Sequence, residues 1–370
     1  LSSKAVAGPL SPTSQLPGDQ TTLRRLGQPG VNATALSPQV GIALDQTRFG
    51  RSAKGIRVHL RGSYTPLPQP IGGQLVASIA GETIDRWPAD ATGTVDRWVD
   101  VPDRLLVRYT TLGLRLDISG DTGRCGEFQP LTLTVDGDSP VSGSPAKPPV
   151  PGGFQSLPQS LMPRVSIGMG DGFDDTRRAV AIMVGLQRLS ALPIDTVVMP
   201  AADAVSGSGP AVLISAGGWT DDRVRLPVAP NRSGEITVER AGMPGETTTL
   251  TLDPALAFGS LQVVYDGTRS LLVASSNNAP EQLDALLGWL AQDARRWSDL
   301  DGTALIQAAG RAPVVYGTTA AAAADTDVAE AAQPAHPPWW VWVAVAVAGL
   351  LAVTAVGVIV LRSRRSSGLP

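Results

Sequence analysis

Cysteine is all but missing from this 370-residue chain, and the single copy, Cys125, excludes an intrachain disulfide framework and any multi-cysteine metal cluster. Histidine is nearly as scarce. His59 lies in a strand pattern and His336 in a Pro/Ala-rich stretch, so a His-based triad or a multi-His zinc site has almost nothing to draw on. Charged residues make up 17 % of the chain, below the ~25 % usual in globular proteins. With 30 basic against 33 acidic residues the net charge is −3, and no basic surplus exists for counterion-driven binding of nucleic acid. The composition therefore points away from an enzyme, from a multi-Cys or multi-His metal site, and from a nucleic-acid partner, and no cofactor is expected.

What is abundant is turn-forming and apolar: 40 Gly, 31 Pro and 43 % hydrophobic residues. That mixture predicts many short strands rather than a helical bundle. The longest uncharged run is at the C-terminus, WWVWVAVAVAGLLAVTAVGVIVL over residues 339–361. As a helix, 23 residues span ~34 Å, enough to cross a ~30 Å hydrocarbon core. Trp339, Trp340 and Trp342 form an aromatic belt at one end, and Arg362, Arg364 and Arg365 follow the other. The positive-inside rule then predicts a single-pass anchor in the cytoplasmic membrane. Residues 362–370 are the cytoplasmic tail and the bulk of the chain lies outside, in the cell envelope. A removed signal peptide is the expected companion of a start at Leu1. Ala344, Ala348 and Ala352 recur every four residues, a spacing that lets a partner helix approach closely or that follows simply from abundant alanine.

Before the anchor the hydrophobic period changes once. Between Val40 and Val135 it is two: Ile56, Val58 and Leu60 alternate with Arg57 and His59, and Leu112, Leu114, Leu116 and Ile118 with Gly113, Arg115 and Asp117. Repeated half-buried strands with turns between them predict an antiparallel sandwich over residues 36–140, after an N-terminal segment 1–35 expected to be flexible. A Pro/Gly/Ser-rich linker over 141–153 precedes a second unit, 154–316. There a strand at Val165–Met169, a helix at Asp174–Leu189, strands at Ile194–Met199 and Ala211–Ser215, a hairpin pair at Leu261–Tyr265 and Leu271–Ser275, and a helix at Pro280–Trp297 predict an α/β domain with a largely parallel sheet. An Ala/Pro-rich linker, 317–338, leads to the anchor.

Four aromatic residues are candidates for stacking on sugar rings: Trp87, Trp98 and Tyr64 in the sandwich, and Trp219 in a Gly-Gly-Trp loop. Burial in the core is the usual fate of such rings, since it removes a large apolar area from water, and Trp87, followed by Pro88 in a polar turn, and Trp219 are the better candidates for contact because loop aromatics are more often exposed. The glycine-rich turn from Gly168 to Thr176 could cradle a phosphate, but Asp171, Asp174 and Asp175 sit where the phosphate would, which favours a helix cap made by Asp or Thr. Cys125 has no histidine near it in sequence to activate it as a nucleophile. Paired carboxylates for glycoside hydrolysis are open among 33 acids, with no spacing that singles out a pair.

The run IRVHLRGSYTPLPQPIGGQLVASIAGETI (Ile56–Ile84), the Cys125 region and the joining stretch FQSLPQSLMPRVSIGM (Phe154–Met169) resemble the B subunit of bacterial cellulose synthase, its regulatory subunit. The resemblance covers roughly residues 20–361. It implies a carbohydrate-binding, jelly-roll-like sandwich followed by a flavodoxin-like α/β domain and a C-terminal transmembrane anchor. It also implies a non-catalytic role: holding a membrane-embedded family-2 glycosyltransferase and guiding a nascent cellulose-like β-glucan. The usual member carries two sandwich-plus-flavodoxin copies, whereas this chain has one. No residue here matches a cyclic-di-GMP signature, and the acidic first loop implies no bound FMN. The competing expectation is a membrane-tethered hydrolase or a sugar-binding surface protein.

Overall fold

Strict alternation of branched apolar with polar residues shapes the first half of the protein. In the computed structural model, which describes residues 18–67, 71–119, 130–230, 236–241, 247–252 and 256–317, ten strands form here. They are β1 (Gln20–Thr22), β2 (Gly30–Ala35), β3 (Gln39–Asp45), β4 (Ala53–Tyr64), β5 (Gly72–Ile79), β6 (Glu82–Pro88), β7 (Thr94–Asp100), β8 (Tyr109–Ser119), β9 (Leu131–Asp136) and β10 (Pro140–Pro145). One sheet has the order β1-β10-β4-β9-β2 with β7 paired to β4, and the other the order β3-β8-β5-β6. Their strand pairs are antiparallel. The two sheets share one core, in which Ile56, Val58, Leu60, Val99 and Leu133 of the first meet Ile42, Leu75, Leu112, Leu114 and Leu116 of the second. A two-sheet sandwich follows because each sheet has one apolar face and must cover it. The strands β1 and β2 fall inside the segment expected to be flexible, and β10, apart from Pro140, inside the stretch expected to be a linker. Its Val141 pairs with Val58 and is buried in the core.

The second half contains β11 (Arg164–Met169), α1 (Phe173–Arg188), β12 (Asp195–Pro200), α2 (Ala201–Ser206), β13 (Ala211–Ser215), β14 (Val228–Pro230), β15 (Ile236–Ala241), β16 (Thr247–Leu252), β17 (Phe258–Tyr265), β18 (Ser270–Ser276), α3 (Pro280–Gln292), α4 (Arg295–Ser298), β19 (Ala304–Ala308) and β20 (Val314–Tyr316). The main sheet runs β12-β11-β13-β18-β17-β19-β20, and β14, β15 and β16 form a separate antiparallel sheet. The helices α1 and α3 cover one face over Ile182, Leu186, Leu283, Leu286 and Leu290. On the other face α2 packs through Ala204 and Val205 against Leu213, Leu271 and Val273.

This arrangement corrects the expected flavodoxin-like, largely parallel α/β domain. Only the pairs β11–β12, β11–β13 and β13–β18 are parallel; β17–β18, β17–β19 and β19–β20 are antiparallel. Among the described residues the protein is dominated by strands arranged in four sheets. The physical reason is a short connection. Tyr265 ends β17 and Ser270 begins β18, and a parallel neighbour needs a crossover of about a dozen residues or more. Within that turn the Asp266 carboxylate accepts from the backbone N–H groups of Thr268 (2.9 Å) and Arg269 (3.0 Å), which fixes the reversal.

The expected anchor and its flanks, 318–370, lie outside the described residues; among those described, no helix is long and apolar enough to cross a membrane.

Candidate carbohydrate-contact face

The alternation in β4 buries Ile56, Val58 and Leu60 and turns Arg57, His59 and Arg61 outward. In β7 it buries Val95 and Val99 and turns Asp96, Trp98 and Asp100 outward. The antiparallel register then sets Arg57 against Asp100, His59 against Trp98 and Arg61 against Asp96. Directly opposed side chains on one face interact, and these do. The imidazole of His59 stacks on the Trp98 indole with ring centroids 4.6 Å apart and planes 15° apart. The Arg57 guanidinium lies 5.2 Å from the same indole centroid. Arg57 also pairs with Asp100, and His59 Nε2 with Asp96. Along the sheet the face continues in hydroxyls: Ser63 opposes Thr134, and Thr132 hydrogen-bonds Thr34 at 2.9 Å.

Such a surface offers an aromatic plate beside fixed donors and acceptors. Trp98 is 40 % exposed, so a ring stacked on it covers apolar area that water now touches. The neighbouring carboxylates and guanidiniums supply hydrogen-bond partners for hydroxyl groups.

The other three aromatic candidates are differently placed. Tyr64 is buried in the sandwich core, and its hydroxyl donates to the Asp90 carbonyl (2.9 Å) while accepting from the Asp90 N–H (2.7 Å). Burial pushes its phenol pKa up. Trp87 is half-buried against the core, on the opposite side of β7 from Trp98. The guanidinium of Arg97 sits 5.7 Å from its ring centroid and binds Asp85 at 3.0 Å, holding that carboxyl below the ordinary range. Trp219 is half-buried, and its indole N–H reaches the carbonyls of Asp221 and Val224, both at 3.0 Å, closing its own loop. The structure thus brings none of the other three beside Trp98. It adds instead Arg57, His59, Asp96 and Asp100, which sequence reasoning had passed over. Their signal was the two-residue period, but nothing local says that β7 lies next to β4.

The glycine-rich turn is not closed by an Asp or Thr cap. Gly172 occupies the position before the helix, without a side-chain cap. The acids of the first turn are engaged elsewhere: Asp175 binds Arg178 at 2.8 Å, and Arg178 forks onto Asp284 of α3 at 2.9 and 2.8 Å. Asp174 lies 3.5 Å from Arg177. These ion pairs tie α1 to α3 and set guanidinium groups against the acids of the first turn. Among the described residues no group of three or more His, Cys, Asp or Glu side chains is placed to hold a metal ion. Cys125 lies outside the described residues, as do Trp339, Trp340, Trp342, Ala344, Ala348, Ala352, Arg362, Arg364 and Arg365.

Compared with family models and with curated proteins, the chain finds no match.

Proposed function

We propose that this is a non-catalytic, membrane-attached envelope protein that accompanies a polysaccharide synthase and contacts the emerging polymer. The observation that carries the reading is Trp98, an exposed indole stacked on His59 and bracketed by Arg57, Asp96 and Asp100 on the outward face of a sandwich. A single plate with a few fixed polar groups suits weak, repeated contact with a moving chain rather than tight capture of a small ligand. Membrane attachment rests on the uncharged run at 339–361 with its aromatic and arginine flanks. The partner is a membrane-embedded family-2 glycosyltransferase, engaged through the Ala344/Ala348/Ala352 stripe, and the polymer a cellulose-like β-glucan; both follow from the resemblance alone. The chain itself carries out no reaction in this reading, and no cofactor is called for.

The test is affinity purification of the tagged full chain from gently solubilised membranes. Recovery of a multi-span glycosyltransferase, lost when Ala344, Ala348 and Ala352 are all changed to Leu, supports the partner role. Recovery of this protein alone, with release of sugar from β-glucans, overturns it in favour of a tethered hydrolase.

A further inference from the structure

The parallel part of the large sheet reverses its direction of winding at β11. From β11 the chain passes through α1 to β12 on one side, then through α2 to β13 on the other side of β11. The helix that follows β11 covers one face, where Ile182 and Leu186 join Ile167 and Val212. The segment that follows β13 turns to the opposite face, where Trp219, Val224 and Leu226 meet Ala204 and Val205 of α2. Adjacent parallel strands whose continuations leave for opposite faces open a crevice beyond their carboxyl ends, and ligands of α/β sheets bind there. Both lips carry glycine: a Cβ on Gly172 or on Gly217 would meet no atom within 4 Å. The sandwich contacts the other end of these strands. Its Arg108 and Tyr109 reach the carbonyls of Leu157, which precedes β11, and Leu189, which follows α1.

We propose that this crevice binds a short stretch of neutral saccharide. Asp171, in the loop after β11, is exposed and has no hydrogen-bond or ionic partner among the described residues. Asn278 is likewise exposed and without a side-chain partner, and its Oδ1 lies 3.6 Å from where a Cβ on Gly218 would stand. A carboxylate accepts hydrogen bonds and a carboxamide both donates and accepts, which suits alcohol groups that do both. A phosphate fits poorly. The α1 arginines that could neutralise it, Arg177 and Arg178, are committed to Asp174, Asp175 and Asp284, which leaves the Asp171 charge unopposed. On the β13 side the half-buried ring of Trp219 is fixed by its N–H bonds to the carbonyls of Asp221 and Val224, so its remaining exposed surface is a rigid apolar wall for a sugar ring. As a second contact on the same polymer, in the other half of the chain from Trp98, the crevice rests on the glycan reading.

The experiment titrates cellobiose into the full chain in detergent by calorimetry, in the wild type and in a Trp98→Ala background that disables the sandwich face. Binding is expected to persist in Trp98→Ala. Adding Gly217→Phe, which places a ring in open space, is expected to weaken it by about tenfold or more with the fold intact by circular dichroism. Gly209→Phe is the control: a Cβ there also meets nothing within 4 Å, but Gly209 precedes β13 at the opposite end of the strand, and affinity is expected to be unchanged. Asp171→Asn, at an exposed and unpartnered position, keeps the fold whatever the ring at Gly217 does and is expected to weaken binding about threefold. Equal binding by the Gly217→Phe and Gly209→Phe variants, or displacement of cellobiose by inorganic phosphate, overturns the proposal. So does loss of all binding in Trp98→Ala, which would leave the sandwich face as the contact and the glycan reading standing. A wild type that binds no cellobiose at all overturns both.

Discussion

The guanidinium of Arg108, immediately before β8, donates from Nη1 to the carbonyl of Ser298, 190 residues further along the chain, at 3.1 Å. The same side chain reaches the carbonyls of Leu157, Phe154 and Trp297, and only 1 % of it is exposed. It binds the sandwich to the strand-rich second half, and Tyr109 adds a bond from its hydroxyl to the Leu189 carbonyl at 2.6 Å. Burial lowers the Arg108 pKa to about 10, the charges of Tyr109 and Asp45 opposing the shift. A cation whose folded pKa is depressed weighs against folding wherever it is protonated in both states. That penalty is fully present below pH 10 and is relieved only above it. What offsets it is the set of carbonyls that would otherwise be orphaned.

Arg108→Ala therefore leaves several buried acceptors unpaired and is expected to cost about 3 kcal/mol or more. Arg108→Lys, a point charge without the planar fork, is expected to recover less than half of that loss. Chemical denaturation of the wild type and both variants checks the order; a Lys variant as stable as wild type would show that the fork geometry is irrelevant.

Gly185 lies on the buried side of α1 against Trp297 of α4, where a Cβ would come within 2.2 Å of the indole. Helix propensity alone makes Gly→Ala favourable by about 1 kcal/mol. Here the rigid ring cannot withdraw, so Gly185→Ala is expected to destabilise by about 1–3 kcal/mol through overpacking. Trp297→Leu in the same background should restore part of the loss, read as a non-additive double-mutant cycle in thermal unfolding.

Acid sensitivity should concentrate in the β17–β18 turn. Burial alone would raise the Asp266 carboxyl, but hydrogen bonds from Thr268 and Arg269 outweigh it and hold the pKa at about 2. Arg269, itself buried, is thereby aimed at the carbonyls of Ala204 (3.0 Å) and Gly209 (2.9 Å) and at that of Val205 (2.6 Å), around the end of α2. A depressed carboxylate pKa stabilises the fold fully above the unfolded value near 4, and the contribution is lost as pH falls toward 2. Asp266→Asn is expected to lower stability at pH 7 and to flatten its decline between pH 4 and 2, measured by urea midpoints across that range.

Much of the local structure was legible from periodicity. The helix expected at Asp174–Leu189 is α1, Phe173–Arg188, and the expected hairpin strands lie within β17 and β18. The helix expected over Pro280–Trp297 divides, because the Asp293 carboxylate accepts from the Arg295 N–H at 2.9 Å and starts α4 anew. Pairing direction was legible only across the short β17–β18 turn, where a hairpin was expected; a run such as Ala304–Ala308 reads the same whether its neighbour is parallel or antiparallel, and here it is antiparallel to β17. The candidate site shows the same divide. Period two places His59 and Trp98 on outward faces, but only the register of β4 with β7 stacks them.

That stack gives the sharpest test of the glycan reading. Trp98 is exposed and lies outside the sandwich core, so Trp98→Ala should leave thermal stability nearly unchanged, as exposed substitutions usually do. Tyr64→Ala, at a fully packed position with a bonded hydroxyl, should instead cost about 3–5 kcal/mol. If the face contacts polymer, Trp98→Ala should weaken binding to soluble β-glucan oligosaccharides by about tenfold, or ~1.4 kcal/mol. His59→Ala should weaken it less, because the indole remains but loses the imidazole that fixes its plane. Titration calorimetry separates the two. Unchanged affinity in Trp98→Ala with an intact fold would remove the face from the polymer path and leave the anchor run as the remaining link to a synthase.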